Sequence, residues 1–538
     1  MKKWTLFFSL LCFQLYTYAQ QDAWVYFIDK QNVSQSIANP INILTQKAID
    51  RKTRHNVAID DRDVPVNENY ITELKAQTGI SVLAKSKWFN AVHVRGLESD
   101  IVALLSLASV VSIDFADKSL NDSNKSFNKK LESKLEGAST IFNYGNALNQ
   151  IEMFNGDALH TANYTGTGMT IAVLDAGFPN VNTMTSFQRL RGAGHLLDDY
   201  DFVNRDDDVY TNTVSNHGTL VLSDMAGYIE NQFVGTAPDA SYYLFITEDG
   251  DSENPVEESY WVEAAERADS LGVDIINTSL GYKDYSPTYS SYSYSDSDLD
   301  GNTVYITKGA NIAFEKGMLL VTSAGNSGNG GVGAPADSQY VLSVGAVDAL
   351  GDYATFSSVG SVFQPTQKPD IVAQGQASYV ITENDVMTTA NGTSFSSPIL
   401  AGGVACLWQA LPNKTNAEIT QLIRESGSLY ATPNNQLGYG IPDLDHALLT
   451  ALSNAENEDE MRNIKLFPNP SKASVFINFP YLTNETSIGF YDVLGKRVLD
   501  FKTNEKENQI NVLSLSTGLY IVKVESNTNS KTLKFIKE

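Results

Sequence analysis

Four stretches in the middle of the chain are apolar at nearly every position: MTIAVLD (169–175), DIINTSLG (274–281), GMLLVTSAGN (317–326) and YVLSVGAV (340–347). A strand with one wet face alternates apolar and polar residues. A run without alternation is expected of a parallel strand covered on both faces. Between these runs lie HGTLVLSDMAGYI (217–229), YWVEAAERADSLG (260–272) and TKGANIAFEKG (307–317), whose apolar residues recur at helical spacing. The alternation predicts an α/β fold over 145–452, a doubly wound parallel sheet with ligand groups at the carboxyl ends of its strands.

The flanks read differently. Over 20–118 the pattern predicts a strand, a helix over 41–55, a second helix, two strands, a helix and a strand, a small α+β unit. The polar, aromatic-poor stretch 119–144 then reads as a linker. A second polar stretch, 453–463 (SNAENEDEMRN), also reads as a linker. From 464 to 538 short alternating strands such as SVFINF, SIGFYDV and LYIVKVES predict a small β-sandwich.

Residues 1–19 carry Lys2 and Lys3, an apolar run from Trp4 to Phe13 and the small residue Ala19 at the end. That run is too short to span a bilayer, and the arrangement is that of a secretory signal peptide. No other stretch has the ~18 consecutive apolar residues of a spanning helix, so no transmembrane segment is expected in the mature chain. Cys12 leaves with the signal, which makes an intramolecular disulfide impossible, and Cys406 sits in an apolar helical run as inert core. The formal charge of −25, from 63 acidic and 38 basic residues, disfavours nucleic acid as a partner.

Candidate chemistry comes from residues at element ends. Asp175 closes a buried strand, where a carboxylate is costly unless paired or hydrogen-bonded. Of six histidines, His217 alone has a suggestive context, opening a helix beside Gly218. A helix N-terminus disfavours imidazolium, so a proton-accepting histidine there needs a carboxylate partner. Ser394, in NGTSFSSP (391–398), starts an apolar helix. It is either a capping serine or a nucleophile whose own N–H faces a developing oxyanion. Asn326 follows a strand in a glycine-rich loop and is either a turn residue or a second oxyanion donor.

Together the four are far more specific than any one. IAVLDAGF, NHGT, SAGNSG and GTSFSSP resemble the signature blocks of subtilisin-like serine proteases, the subtilases. The resemblance implies a subtilisin-like fold and a secreted endopeptidase. Asp175, His217 and Ser394 would be its triad, Asn326 its oxyanion donor, and the intermediate an acyl-enzyme. Ser279, Leu280 and Gly281 would form an edge that pairs with extended peptide substrates. No cofactor is required for such catalysis. The N-terminal unit resembles the ferredoxin-like prodomain of that family. The last segment, with LFPNPS (466–471), resembles the C-terminal sorting domains of the type IX secretion system. This implies that machinery as a partner, with release or attachment at the outer cell surface. Two rival readings stay open in the sequence: a catalytically inactive binding scaffold, and a peptide ligase or macrocyclase on the same fold.

A Tyr/Ser-rich insertion (282–305) follows the substrate edge, where loops often set specificity. Within it Asp296, Asp298, Asp300 and Gly301 match the first half of a calcium loop, but Thr307 stands where the closing Glu belongs. A structural calcium site and a solvated acidic turn are both compatible with that pattern.

Overall fold

The computed structural model describes residues 20–121, 142–211, 215–250, 252–285, 287–462, 464–479, 486–526 and 529–538. The expected signal peptide and most of the expected linker at 119–144 lie outside the described residues. The chain divides into two compact units between Asp445 and His446.

The first unit begins with four antiparallel strands, β1 (Gln21–Phe27), β2 (Ser81–Ser86), β3 (Ala91–Gly96) and β4 (Val110–Phe115), in the order β2-β3-β1-β4. Successive residues of a strand face opposite ways, and β1 uses both faces. Val25 packs with Ile71 and Leu74 of a helix at Glu68–Lys75 and with Ile101 of another at Glu98–Ala103. Trp24 faces the other way, into a core shared with Tyr260, Trp261 and Tyr305 of the central region. An apolar run that looks like one strand of a small domain is therefore also half of an interface. The helix expected over 41–55 is shorter. Pro40–Asn42 forms a single 3-10 turn, and helix α1 runs over Gln46–Arg54, where the Thr45 hydroxyl accepts the Ala48 N–H at 3.2 Å.

The central region is a seven-stranded parallel sheet. Its strands are β5 (Thr170–Asp175), β6 (Leu196–Asp201), β7 (Ser241–Ile246), β8 (Ile275–Thr278), β9 (Leu319–Ser323), β10 (Leu342–Val347) and β11 (Ile371–Gln374), in the order β11-β10-β9-β8-β5-β7-β6. After β5 the chain builds one edge, and with β8 it crosses to the other side of β5. The carboxyl ends of β5 and β8 are thus the switch point where such sheets hold their ligands. Helices α2 (Val256–Leu271) and α3 (Tyr305–Glu315) share one core with Ala172, Leu174, Phe245, Ile276 and Leu320. Helices α4 (His217–Ala226) and α5 (Thr393–Ala410) pack on each other and on the sheet, outside that core.

The N-terminal sheet docks on α2 and α3 through buried polar groups. Glu266 accepts from Ser86 Oγ at 2.5 Å, Lys87 N at 2.8 Å and Trp88 N at 2.9 Å. Asp269 takes both Arg51 and Lys52 of α1, the latter at 2.7 Å. Lys316 answers from the central region with 2.7 Å contacts to both Asp60 and Asp63.

In the second unit, Lys465–Phe467, Ser474–Asn478 and Glu507–Asn511 form one antiparallel sheet. Arg497–Thr503, Thr486–Tyr491, Gly518–Ser526 and Asn529–Lys537 form another. Val475, Ile477, Ile488, Phe490, Val522 and Phe535 fill the core between them. Across the stretch expected to be a linker, 453–463, a helix from Leu444 continues through Arg462. Polarity suggested a linker, but Ala, Glu, Met and Arg are good helix formers whatever their hydropathy.

Candidate active site

Asp175 is the last residue of β5 and is 1 % exposed. Its Oδ1 accepts the Ala176 N–H at 2.8 Å and meets His217 Nδ1 at 2.8 Å. His217 is the first residue of α4. Gly218 lets that helix come so close: a Cβ there would lie 2.6 Å from Gly177 O and 2.7 Å from the Phe178 ring. The carboxylate holds the imidazole proton on Nδ1 and leaves Nε2 free to accept. Burial opposes the imidazolium, but the Asp175 charge and hydrogen bond outweigh it, with Glu248 adding, so the His217 pKa lies above its ordinary value.

Ser394 is the second residue of α5, one before Phe395, whose ring centroid is 6.0 Å from that of His217. Its hydroxyl donates to Ser279 O at 3.3 Å, and the Ser279 hydroxyl donates to Ser394 O at 3.0 Å. Among the described residues no hydrogen bond joins Ser394 Oγ to His217. The structure therefore brings Asp175 and His217 into contact and parks the serine hydroxyl on the neighbouring strand end.

Asn326 lies past β9 in the glycine-rich loop. Its Oδ1 accepts from Thr393 N at 2.9 Å and from Thr393 Oγ1 at 3.1 Å, while Thr393 Oγ1 accepts from Gly325 N at 3.1 Å. These bonds fix the amide so that Nδ2 faces away from them. A Cβ built on Gly392 would lie 3.5 Å from Asn326 Nδ2 and 3.6 Å from Ser394 N. The two nitrogens thus border one small space beside the serine, kept open by a glycine at φ +154°.

Ser279, Leu280 and Gly281 continue β8 beyond its last paired residue, Thr278. Among the described residues the backbone N–H and C=O of Leu280 and Gly281 have no hydrogen-bond partner, whereas Tyr282 pairs again, with Ala334, at 2.8 and 2.9 Å. An unpaired segment between paired ones is a ready edge for an extended peptide. Asn277 anchors it from below: Nδ2 donates to Ser279 Oγ at 3.2 Å, and Oδ1 accepts from Ser397 Oγ at 3.0 Å.

Sequence reasoning missed Glu248, two residues past β7, which accepts a hydrogen bond from the Tyr282 hydroxyl. Burial, helped by the nearby carboxylates of Glu253 and Asp175, pushes its pKa up to about 8. No motif announces it, because its partners come from other strands. The three insertion aspartates do not converge. Asp296 pairs with Lys283 at 2.6 Å. Asp298 pairs with Lys118 at 2.8 Å. Asp300 caps its own turn through Asn302 N at 2.9 Å and Thr303 N at 2.7 Å. Among the described residues no group of three or more carboxylate, His or Cys side chains is arranged to hold a metal. Cys406 is buried, as expected, and burial pushes its thiol pKa up.

Comparison with known proteins gives three family matches along the chain. The subtilase family model matches residues 166–440, the peptidase S8 propeptide domain of Bacteroidota matches 22–133, and a secretion system C-terminal sorting domain matches 465–538. Subtilisin NAT of Bacillus subtilis subsp. natto is 30% identical over 307 residues, covering 55% of this chain and 70% of the relative. Subtilisin E of Bacillus subtilis (strain 168) is 29% identical with the same coverage. A subtilisin of Bacillus pumilus is 29% identical, with 97% of its length covered.

Proposed function

Since the chain belongs to the subtilase family and is a serine-type endopeptidase, we propose that Ser394 is its nucleophile and that Asp175, His217 and Asn326 serve it. The Ser394 hydroxyl turns from Ser279 O toward His217 Nε2, which takes its proton as Oγ bonds to the scissile carbonyl carbon. Asp175 stabilises the imidazolium so formed. The carbonyl oxygen, now an anion, moves into the space between Asn326 Nδ2 and Ser394 N. The C–N bond then breaks as His217 returns the proton to the leaving amine. Water, deprotonated by the same Nε2, releases the acyl group. The reaction so written uses only groups of this chain, the substrate and water.

What supports the reading above all is the convergence of the Asn326 amide and the Ser394 N–H beside Gly392, next to an Asp175–His217 pair. Ser279 to Gly281 would hold the acyl side of a protein or peptide substrate as an added strand. The sorting domain marks the protein as secreted or attached to the cell surface, and we propose the type IX machinery as its partner in transit. The propeptide is expected to be cut off within 119–144. The test is Ser394→Ala, which should abolish casein hydrolysis and, where removal is autocatalytic, retain the propeptide. A Ser394→Ala protein that hydrolyses casein at the wild-type rate would overturn the assignment.

A further inference from the structure

The Tyr/Ser-rich insertion begins where the substrate edge ends. Tyr282 pairs with Ala334, and Lys283 O accepts the Tyr294 N–H at 2.8 Å, so the insertion folds back along the continuation of Ser279–Gly281. A buried acid holds it there. Glu258 of α2 accepts the Tyr285 hydroxyl at 2.5 Å and the Tyr294 hydroxyl at 2.6 Å on one oxygen, and the Ile306 N–H at 2.8 Å on the other. The tyrosine rings are therefore fixed rather than loosely displayed, and the Tyr294 ring has one face toward the N-terminal unit.

Cations from the propeptide occupy this surface. Lys118 Nζ lies 4.0 Å from the Tyr294 ring centroid and 2.8 Å from Asp298 Oδ2, a ring and a carboxylate closing on one ammonium. The Arg95 guanidinium lies 5.6 Å from the Tyr289 ring centroid, and the Tyr292 hydroxyl donates to Gln21 Oε1 at 2.9 Å. Both distances to ring centroids are within cation–π range. Lys118 falls inside the matched propeptide domain, 22–133, so it leaves when the propeptide leaves. Any cut within 119–144 also places Lys118 on the N-terminal, acyl side of the broken bond.

We propose that the Tyr294–Asp298 cage is an acyl-side subsite for a cationic side chain of the substrate, held by Lys118 in the proenzyme and vacated on maturation. The proposal rests on the reading of Ser394 as the nucleophile and of 279–281 as the substrate edge. Its substrate class is protein or peptide with Lys or Arg several residues N-terminal to the scissile bond. The cage belongs to the insertion that continues the chain past Gly281, tied back to it by the Tyr294 N–H on Lys283 O. It takes over a surface that the calcium-loop pattern would have given to a metal.

The experiment uses mature enzyme, secreted from the full chain, and a set of quenched-fluorescence peptides. Each carries one Lys, moved in turn through positions three to eight N-terminal to the cut, with a Gln peptide as reference. Wild type is expected to cleave one or two of the Lys peptides with a higher kcat/KM than the Gln peptide, the difference shrinking in high salt. Asp298→Asn should lower kcat/KM for those Lys peptides about two- to fivefold and leave the Gln peptide unchanged. Asn keeps an oxygen for the Ser295 N–H, which Asp298 accepts at 2.8 Å, so the local turn survives. Lys118→Gln is the control: once the propeptide is gone, its mature enzyme should match wild type. If wild type cleaves all the peptides alike, or Asp298→Asn leaves the Lys preference intact, the cage only docks the propeptide and the proposal falls. Wild type that cleaves none of the peptides would instead sink the nucleophile assignment beneath it.

Discussion

At the residue scale, the chemistry depends on groups held by second partners. Asn326 can aim Nδ2 because Thr393 holds Oδ1 twice. Replacing it by Leu keeps the volume and removes the donor. The expected result is a fall in kcat of about 10²–10³ with little change in KM, measured on a soluble peptide. Asp175→Asn cannot stabilise the imidazolium and reverses the preferred proton position on His217, so kcat should fall about 10⁴-fold. Because the Asp175 carboxylate raises the His217 pKa, the acid limb of kcat/KM should lie above the ordinary histidine value of 6.5. Activity rises as pH climbs through it and Nε2 becomes free. In Asp175→Asn that limb should move down in pH. The same shift has a sign for stability: the Asp175–His217 pair stabilises fully below the unfolded pKa and loses this as pH rises through the raised folded value.

At the scale of elements, the propeptide interface is built from ions that only make sense together. Asp269 is fully buried, and burial alone would raise its pKa, yet Lys52 and Arg51 hold it below the ordinary carboxylate range. Removing it with Asp269→Ala takes the paired carboxylate from buried Arg51 and leaves buried Lys52 with Asp63 alone. The proenzyme, kept intact by Ser394→Ala, should lose about 3–5 kcal/mol in a denaturant titration. Mature enzyme, which no longer contains α1, should lose far less. Since the depressed Asp269 pKa gives stability that is present above its unfolded value, that part should fade as pH falls below the carboxylate range.

The same scale explains what could be read in advance. β5, β8, β9 and β10 were legible because burial on both faces writes an unbroken apolar run. The α1 boundary was misplaced because Thr45, not the start of the apolar pattern, begins the helix. The helix past Leu452 was missed because composition speaks for solvation and not for backbone conformation. In the site, Asp175, His217, Asn326 and Ser394 stand in recognisable local strings. Glu248, Glu258 and Asp269 do not, since a buried acid is explained by partners tens to hundreds of residues away. The aspartates at 296, 298 and 300 show the converse: a correct local spacing whose side chains turn to three different partners.

At the scale of the whole molecule, a propeptide, a peptidase region and a sorting domain follow one another along the chain. The strongly acidic chain carries a propeptide that covers α2 and α3 and a sorting domain with its own core. Intact-mass and terminal-peptide analysis of the secreted protein should find an N-terminus within or just after 119–144. Active enzyme that still begins at Gln20 would contradict a removable propeptide.

The central claim, that Ser394 is a serine made nucleophilic by His217 and faced by an oxyanion site, has one direct measurement. Mature enzyme is treated with a fluorophosphonate, which phosphonylates only activated serines, and the adduct is mapped by peptide mass spectrometry. The account predicts stoichiometric label on Ser394 and none on Ser396, Ser397 or Ser279, with labelling abolished in His217→Ala. An active enzyme left unlabelled, or labelled at another serine, would contradict it.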